Sequence, residues 1–423
     1  MDGHRERMAA GGEGAPRGGR LFTPGFRAIV ASQAFSLLGM EILQFVLPLH
    51  LLNLTGSGTL YGAVVAVGFV PYTLLAPVGG VIADRTRKRG VMIALDALLA
   101  AMMAGYLALS GSPYLVGVTI AVLMAAFASQ ALYQPCVQSA MPHVVASDRL
   151  EQAVAVTNQL SMVTGIGGPV VGGLVFGFFG LAPIVAASAV CFAVSSVLTA
   201  MFVRVPYEPP ARTAGLVATV RGDVADALGF LRSRPAMWSI IMAATLVNLF
   251  CSSFFNVGSP YIVTESLGLS NQLMGLLQAA LALGGLVGGM AVAMRPGRFG
   301  IRSTPRLLMA ATAGLVAVTA VLLLPVEPLA TYVGLAVAYL ATMACCMAFS
   351  IVATTYLQVE SPGTLVGKVM ALAMMLANFA TPLGQIAYGA VFDLVDPWMV
   401  AAVAAIACGM VAARSGRAGI GER

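Results

Sequence analysis

Residues 152–203 read QAVAVTNQLSMVTGIGGPVVGGLVFGFFGLAPIVAASAVCFAVSSVLTAMFV and contain no charged side chain. A helix needs about 20 apolar residues to cross the hydrocarbon core of a bilayer, so this stretch is long enough for two crossings. Turn-forming residues, Phe179-Gly180-Leu181-Ala182-Pro183, interrupt it near its middle. The stretch therefore predicts a hairpin of two membrane-spanning helices, and similar stretches lie on both sides of it.

The composition of the whole 423-residue chain fits the same interpretation: 59% of its residues are hydrophobic and only 9% are charged, against about 25% charged in an ordinary globular protein. The mean hydropathy is +0.90. A soluble fold could not cover its surface with so few charges, so we predict an all-α membrane protein. The uncharged runs predict twelve transmembrane helices, at about 27–52, 59–83, 91–109, 113–135, 153–179, 182–203, 237–263, 271–294, 304–324, 329–351, 365–391 and 397–413.

The positive charges predict the orientation of these helices. All 23 Lys and Arg residues fall in the two terminal segments or in the connections that follow even-numbered helices. The opposite side carries only acids, Glu265, Glu327, Asp393 and Asp396, of which we expect the last two to be solvated loop residues. Because Lys and Arg accumulate on the cytoplasmic side of membrane proteins, we expect both termini in the cytoplasm and the chain in the inner (plasma) membrane.

The chain divides into two sets of six helices. The longest polar connection, 204–236, lies between them and holds an amphipathic stretch from 216 to 231. The halves also share landmarks, since Pro48 and Gly56 recur as Pro260 and Gly268 at a constant offset. We therefore predict a pseudo-symmetric six-plus-six architecture, with any site between the halves near the middle of the membrane. The predicted units are a tail (1–25), a first bundle (26–203), a cytoplasmic linker (204–236), a second bundle (237–413) and a tail (414–423).

A charged loop follows the second predicted helix, Gly79-Gly80-Val81-Ile82-Ala83-Asp84-Arg85-Thr86-Arg87-Lys88-Arg89-Gly90. Its glycines allow close helix packing, and its acid and cations can interact with helix ends. By composition alone, a plain positive-inside anchor would explain it equally well. The order of its residues, however, resembles the loop signature of the major facilitator superfamily, matching at Gly80, Ile82, Ala83, Asp84, Arg85, Lys88 and Arg89. This resemblance implies a twelve-helix transporter fold in which Asp84 and Arg85 hold a cytoplasmic gate.

The fifth predicted helix carries Gly168-Pro169-Val170-Val171-Gly172-Gly173. Such a sequence removes side-chain bulk and bends a helix, so a neighbouring helix can pack closely and move against it. A generic small-residue interface is the plain alternative. The Gly-Pro-x-x-Gly-Gly core resembles the antiporter motif of proton-coupled exporters in the same superfamily, although Thr164 stands where the fuller pattern has Gly. In the charged loop, Arg87 stands where many members of the superfamily have Gly, which resembles the branch that includes macrolide and siderophore exporters.

Glu41 lies near the middle of the first helix, where no Lys or Arg of the chain falls inside the membrane. An ionised carboxylate costs at least about 2.5 kcal/mol at that depth, so it must be protonated, paired or in contact with water. Glu41 is therefore our candidate for a proton-coupling or cation-recognition group, with a structural acid hydrogen-bonded to a neighbouring helix as the alternative. Asp96, close to the cytoplasmic end of the third helix, is predicted to form an ion pair with Arg85, Arg87 or Arg89 at the gate.

Several uncharged polar residues also fall near the middle of predicted helices, where each needs a hydrogen-bond partner. Helix packing explains such residues more often than ligand contact. The superfamily resemblance places helices 1, 4, 7 and 10 around a central cavity, with helix 11 beside them. It implies that Gln44, Asn248, Tyr339 and Asn378 are the substrate-cavity candidates.

The sequence shows no nucleophile–base set, no phosphate-binding loop and no metal-ligand spacing, so we predict no enzyme, no bound cofactor and no nucleic-acid partner. The six cysteines lack a CxxC spacing and are expected to be small buried hydrophobes. We predict a monomeric secondary transporter that exports small lipophilic compounds, either drugs or secreted metabolites, in exchange for protons, with the proton gradient as energy source. An importer or facilitator on the same fold is the main alternative, and a membrane-embedded enzyme is the remote one.

Overall fold

The computed structural model describes residues 21–205, 216–295, 297–363 and 365–417; within them, the side chains at 77, 78, 80–85, 147, 216–223, 416 and 417 are not described. The first half consists of helices α1 (Pro24–Thr55), α2 (Gly58–Arg85), α3 (Lys88–Leu109), α4 (Leu115–Val144), α5 (Leu150–Phe179) and α6 (Leu181–Phe202). Helix α7 (Leu216–Arg232) lies in the linker. The second half consists of α8 (Pro235–Ser266), α9 (Asn271–Met294), α10 (Thr304–Leu323), α11 (Pro328–Glu360), α12 (Val366–Phe392) and α13 (Pro397–Arg417).

All helices except α7 are long and apolar enough to cross a membrane, which gives twelve spans in the described residues. The predicted fold class is therefore confirmed: the described part of the chain is helical and contains no strand. Large apolar side chains such as Leu74, Val163 and Met290 are exposed on the outside of the protein, as expected for surfaces that face lipid.

The predicted end of the fourth helix at 135 is wrong, because α4 continues to Val144 with Pro135 and Pro142 inside it. Proline removes one backbone hydrogen bond, but neighbouring helices stabilise such helices in membranes. Helix α11 likewise continues to Glu360, beyond the predicted end at 351, and α13 continues to Arg417, beyond the predicted end at 413. A span-length rule counts only the bilayer core, so it misses the turns by which helices extend beyond it.

Equivalent helices of the two halves end in the same way. Helix α1 is followed by Gly56 (φ +63°) and α8 is followed by Gly268 (φ +62°), both in the left-handed region. That conformation ends a helix and favours glycine, which lacks a Cβ. The predicted landmarks Gly56 and Gly268 thus occupy the same structural position in each half, as a six-plus-six repeat requires.

The two halves contact each other mainly through the pairs α2–α12 and α5–α9. An added Cβ would lie 2.3 Å from the Gln385 carbonyl oxygen at Gly62 and 2.6 Å from the Gly275 Cα at Gly173. These contacts fall near the start of α2 and α9 and near the end of α5 and α12. We call the side of the molecule on which those ends lie the distal side, and the opposite side, on which α1 begins and α13 ends, the terminal side. The halves are therefore closed against each other on the distal side.

The linker helix α7 belongs to the second half. Ala227 and Leu231 are fully buried and pack with Met237 and Val369, which lie near the start of α8 and α12. Lys368 Nζ also lies 2.6 Å from a carboxylate oxygen of Asp226. The helix spans the predicted stretch 216–231, and the described side chains in its second part lie against the terminal-side ends of the second half.

Candidate functional site

A cavity in two connected lobes lies at the centre of the molecule. The wide lobe has a volume of about 410 Å³ and is lined by α8, α11 and α12 of the second half. It extends from Ser252 in mid-helix to Ile241 and Leu357, which lie towards the terminal side. The described close contacts between the halves lie on the distal side and the wide lobe extends towards the terminal side, so the cavity opens in that direction.

The deep lobe, about 350 Å³, lies between the two halves. Gly165, Ile166 and Pro169 of α5 form one wall, and Asn256 and Gln278 contribute amides from α8 and α9 on the other. The two lobes share residues of α8 and α11, namely Ser252, Met343 and Met347. A molecule in this cavity would therefore contact both halves, as a site between two moving bundles requires.

A π-helical turn, Asn248–Ser252, interrupts α8 where it borders the wide lobe. The Asn248 side-chain amide donates to the Ala244 carbonyl at 3.0 Å. The Ser253 hydroxyl lies 3.0 Å from each of the carbonyl oxygens of Asn248 and Thr381. Side-chain hydrogen bonds thus add to the backbone bonds around the wider turn, and π-turns of this kind are frequent at functional sites.

Two of the four predicted cavity residues line the wide lobe, namely Asn248 and Asn378. Within the described part of the chain the amide of Asn378 makes no hydrogen bond, so it can bind a ligand in the cavity. Gln44 instead donates to the side-chain oxygen of Gln130 at 3.2 Å and so links α1 to α4.

Tyr339 does not line either lobe in this conformation. It is fully buried in the core of the second half, where its ring packs edge-on against Phe255 at 4.7 Å between centroids and also contacts Phe254. The large ring of Tyr339 fills space between α11 and α8. This packing explains why Tyr339 does not face the cavity although it is a polar residue in the middle of a helix. A role for Tyr339 in substrate contact stays a prediction.

Glu41 lies on α1 directly against the α5 motif. A Cβ added to Gly168 would lie 2.3 Å from the Glu41 Cβ, so only glycine fits opposite this acid. The Glu41 side chain is half-buried. Among the described residues its carboxylate has no hydrogen bond and no ion pair. The structure therefore places a carboxylate without a described protein partner, partly accessible, near the middle of the first span.

The motif residues of α5 face two different neighbours. Gly168 and Gly172 pack on α1, where a Cβ at Gly172 would lie 3.1 Å from a Val46 methyl carbon. Gly173 packs across the boundary between the halves on Gly275 of α9. Pro169 lines the deep lobe. The same short segment thus contacts Glu41, the cavity and the opposite half.

Asp96 lies in a buried group of hydroxyls. Only 1% of its surface is exposed, and its two carboxylate oxygens accept hydrogen bonds from Ser36 at 2.7 Å and from Ser195 at 2.6 Å. These serines lie on α1 and α6, so Asp96 links three helices. Arg89, one of its predicted partners, donates to the carbonyl oxygen of Ala200 on α6.

Most of the other residues of the predicted cytoplasmic gate have side chains that the structure does not describe. This holds for Gly80, Asp84 and Arg85, so their contacts, and the predicted pairing of Asp96 with Arg85, stay predictions. Lys88 is the first residue of α3.

Sequence reasoning missed a thiol pair. The Sγ atoms of Cys251 on α8 and Cys346 on α11 lie 3.6 Å apart, and Cys346 also lines the wide lobe. None of the six cysteines forms a disulfide among the described residues, and three of them are only partly buried. No spacing rule could find the pair, because its members are separated by 95 positions. No group of three or more metal-ligating side chains occurs among the described residues.

Two six-helix halves, closed on one side around a central cavity that is reached from the other, define a membrane transporter. The family follows from the sequence: a family model described as Major Facilitator Superfamily matches residues 29–385, and the chain belongs to that family. Its fold and family identify it as a multi-pass transporter and not as an enzyme.

Curated relatives are similar over most of their length. The chain is 25% identical over 375 residues to "Macrolide efflux protein A" of Streptococcus pyogenes, covering 85% of this chain and 87% of the relative. It is also 25% identical over 363 residues to "Enterobactin exporter EntS" of Salmonella typhimurium, covering 82% and 81%. A solved D-xylose–proton symporter superposes with a TM-score of 0.69 at 13% identity, covering 92% of this chain and 96% of that one, and shows the common fold.

Proposed function

We propose that this transporter exports small lipophilic compounds in exchange for protons. The observation that carries the proposal is the contact between Glu41 and Gly168, which joins an acid without a described partner to the segment that packs on the opposite half. The relatives named for macrolide efflux and enterobactin export support the direction of transport.

The chemistry of the cavity supports a lipophilic substrate. Its lining combines methionine side chains, Met343, Met347, Met370 and Met374, with uncharged amides and hydroxyls. Methionine is flexible and polarizable, so such a wall can adapt to different apolar shapes. The amides of Asn248 and Asn378 would orient the polar groups of the substrate.

The proposed cycle couples two states of the halves. The terminal side is cytoplasmic, as the positive charges predict, so the structure represents the inward-open state. Glu41 releases a proton to the cytoplasm as substrate binds, and a proton that enters from outside then displaces the substrate outward. Asp84 and Arg85 set the balance between the two states. We further propose that the protein acts as a monomer in the plasma membrane.

Reconstituted proteoliposomes test this function directly. A pH gradient, acidic on the side that receives substrate, is expected to drive accumulation of a macrolide such as erythromycin, and collapse of the gradient by an uncoupler is expected to stop it. Empty liposomes are the control. Uptake in the same direction as the proton flux would support an importer, and equilibration without accumulation would support a facilitator; either result would refute export by exchange.

Replacing Asn378 with Ala is expected to raise the KM for such a substrate about fivefold while leaving the maximal rate nearly unchanged. The loss of one hydrogen bond to a bound ligand costs about 1 kcal/mol. The matched comparison is Asn248→Ala, for which we expect a smaller rise because its amide nitrogen already donates to Ala244. Concentration-dependent transport rates measure both variants. Equal effects of the two variants, or no effect, would place the substrate elsewhere in the cavity.

A further inference from the structure

Asp393, expected from the sequence to be a solvated loop residue, bridges the two halves on the distal side. It follows α12 of the second half, yet its carboxylate accepts hydrogen bonds from the first turn of α2 in the first half. The donors are the backbone amides of Gly58 at 2.6 Å and Thr59 at 2.8 Å and the hydroxyl of Ser57 at 2.9 Å. An exposed acid thus acts as a helix cap for the opposite half.

The first turn of α2 depends on this carboxylate. The first amides of any helix have no partner within the helix, and a side-chain oxygen usually binds them. Among the described residues the Ser57 hydroxyl accepts a hydrogen bond from the Leu60 amide alone, at 3.2 Å, so the amides of Gly58 and Thr59 are left for Asp393. The positive end of the helix dipole also favours a negative charge at this position. If the halves separated, the amides of Gly58 and Thr59 would lose Asp393 and could form hydrogen bonds only with water.

The backbones at this point are so close that position 389 requires glycine and position 58 leaves little room for a side chain. A Cβ at Gly389 would lie 2.5 Å from the Gly58 carbonyl oxygen, and one at Gly58 would lie 3.0 Å from that of Gly389. A second contact between the halves, Asn53 to Asn271 at 2.9 Å, lies on the same side. The geometry of the contact therefore belongs to the distal-closed state and must be broken for that side to open.

We propose that Asp393 is a positioning residue that holds the distal gate closed, by capping α2 with its ionised carboxylate. This inference goes beyond the proposed function, because it holds for either direction of transport and for any substrate. The N-terminus of α2 is occupied here by a residue of the chain itself, so the contact is a gate and not a ligand site.

The gate should not respond to ordinary changes of pH. Burial raises the pKa of Asp393, but hydrogen bonds from Thr59, Gly58 and Ser57 outweigh burial and hold the pKa below its usual value. A depressed pKa means that the stabilisation is present above the ordinary range of Asp and is lost only as the pH falls through the lowered pKa. The other titratable groups that face this region are Tyr261, Glu265 and Asp396. We expect the same population of closed molecules from pH 5 to pH 8.

Spin-label distances test the proposal on the full-length protein in nanodiscs. Labels at Leu54 and Leu329, which are exposed near the distal ends of α1 and α11, report separation of the halves once the native cysteines are replaced. We expect Asp393→Asn to raise the ratio of open to closed molecules about tenfold, since an amide cannot accept charge-assisted bonds from two backbone donors. The matched control is Asp396→Asn, which removes a charge from the same exposed pocket without touching α2.

A second variant removes a donor from the other partner. Thr59→Pro lacks the amide that binds Asp393, and proline is tolerated in the first turn of a helix, so α2 should still form. Thr59→Pro is expected to shift the spin-label distances in the same direction as Asp393→Asn. If Asp393→Asn does not fold, Thr59→Pro alone tests the proposal. Unchanged distances in both variants, or an equal shift in Asp396→Asn, would overturn the proposal. The measurement needs neither substrate nor proton gradient, so failure of the exporter hypothesis would leave it standing.

Discussion

Replacing Glu41 with Gln is expected to abolish substrate accumulation driven by a pH gradient. Gln keeps the size of the side chain and fits opposite Gly168, but it cannot exchange a proton. Substrate-for-substrate exchange across the same liposomes should persist, because it needs the cavity and the motion of the halves but no proton transfer. The measurement is uptake of labelled erythromycin with and without an imposed pH gradient.

The conservative variant Glu41→Asp is the control for the carboxylate itself. It keeps a group that can bind a proton, so part of the gradient-driven uptake should remain. A Glu41→Gln protein that still accumulates substrate against its gradient would exclude Glu41 as the coupling group. If Glu41→Gln loses both substrate exchange and gradient-driven accumulation, Glu41 has a structural role, which was the alternative for this acid.

Replacing Gly168 with Ala is expected to destabilise the protein and to stop transport. The added methyl group would lie 2.3 Å from the Glu41 Cβ and 3.2 Å from the backbone carbon of the same residue. Backbone cannot rotate away as a side chain can, so α5 and α1 must separate. Overpacking of this kind costs about 1–3 kcal/mol. Thermal unfolding of the purified protein, followed together with uptake, measures both effects.

The neighbouring residue provides the matched control. An added Cβ at Gly167 meets nothing within 4 Å, so Gly167→Ala should leave unfolding and transport close to those of the unchanged protein. Alanine is also the better helix former, which excludes a propensity effect as the cause of any loss at Gly168. Equal behaviour of the two variants would show that the α1–α5 contact is looser than the structure indicates.

Much of the fold could be predicted because the bilayer imposes a simple rule. Long uncharged runs and turn formers were enough to find all twelve spans. Helix ends beyond the membrane follow no such rule: α4 passes through Pro135, and α13 extends to Arg417. Neighbouring helices support those extra turns, and a single sequence does not show which helices are neighbours.

The candidate site was only partly predictable for the same reason. Glu41 and Gly168 were each identified from the sequence, but their contact depends on how α1 packs on α5. Tyr339 and Asn378 were both candidates because they lie near the middle of predicted helices that the superfamily resemblance places around or beside the cavity. Packing buries Tyr339 and leaves Asn378 facing the cavity. Asp393 was assigned to a solvated loop because its partners come from the other half, separated by more than 330 positions.

Proton release on substrate binding tests the coupling mechanism most directly. Purified protein in weakly buffered detergent solution, with a pH indicator dye, is mixed with erythromycin near neutral pH. We predict that binding acidifies the solution in the unchanged protein and that Glu41→Gln binds the macrolide without this signal. Binding without proton release in the unchanged protein, or equal release from Glu41→Gln, would contradict the assignment of Glu41 as the group that exchanges a proton for substrate.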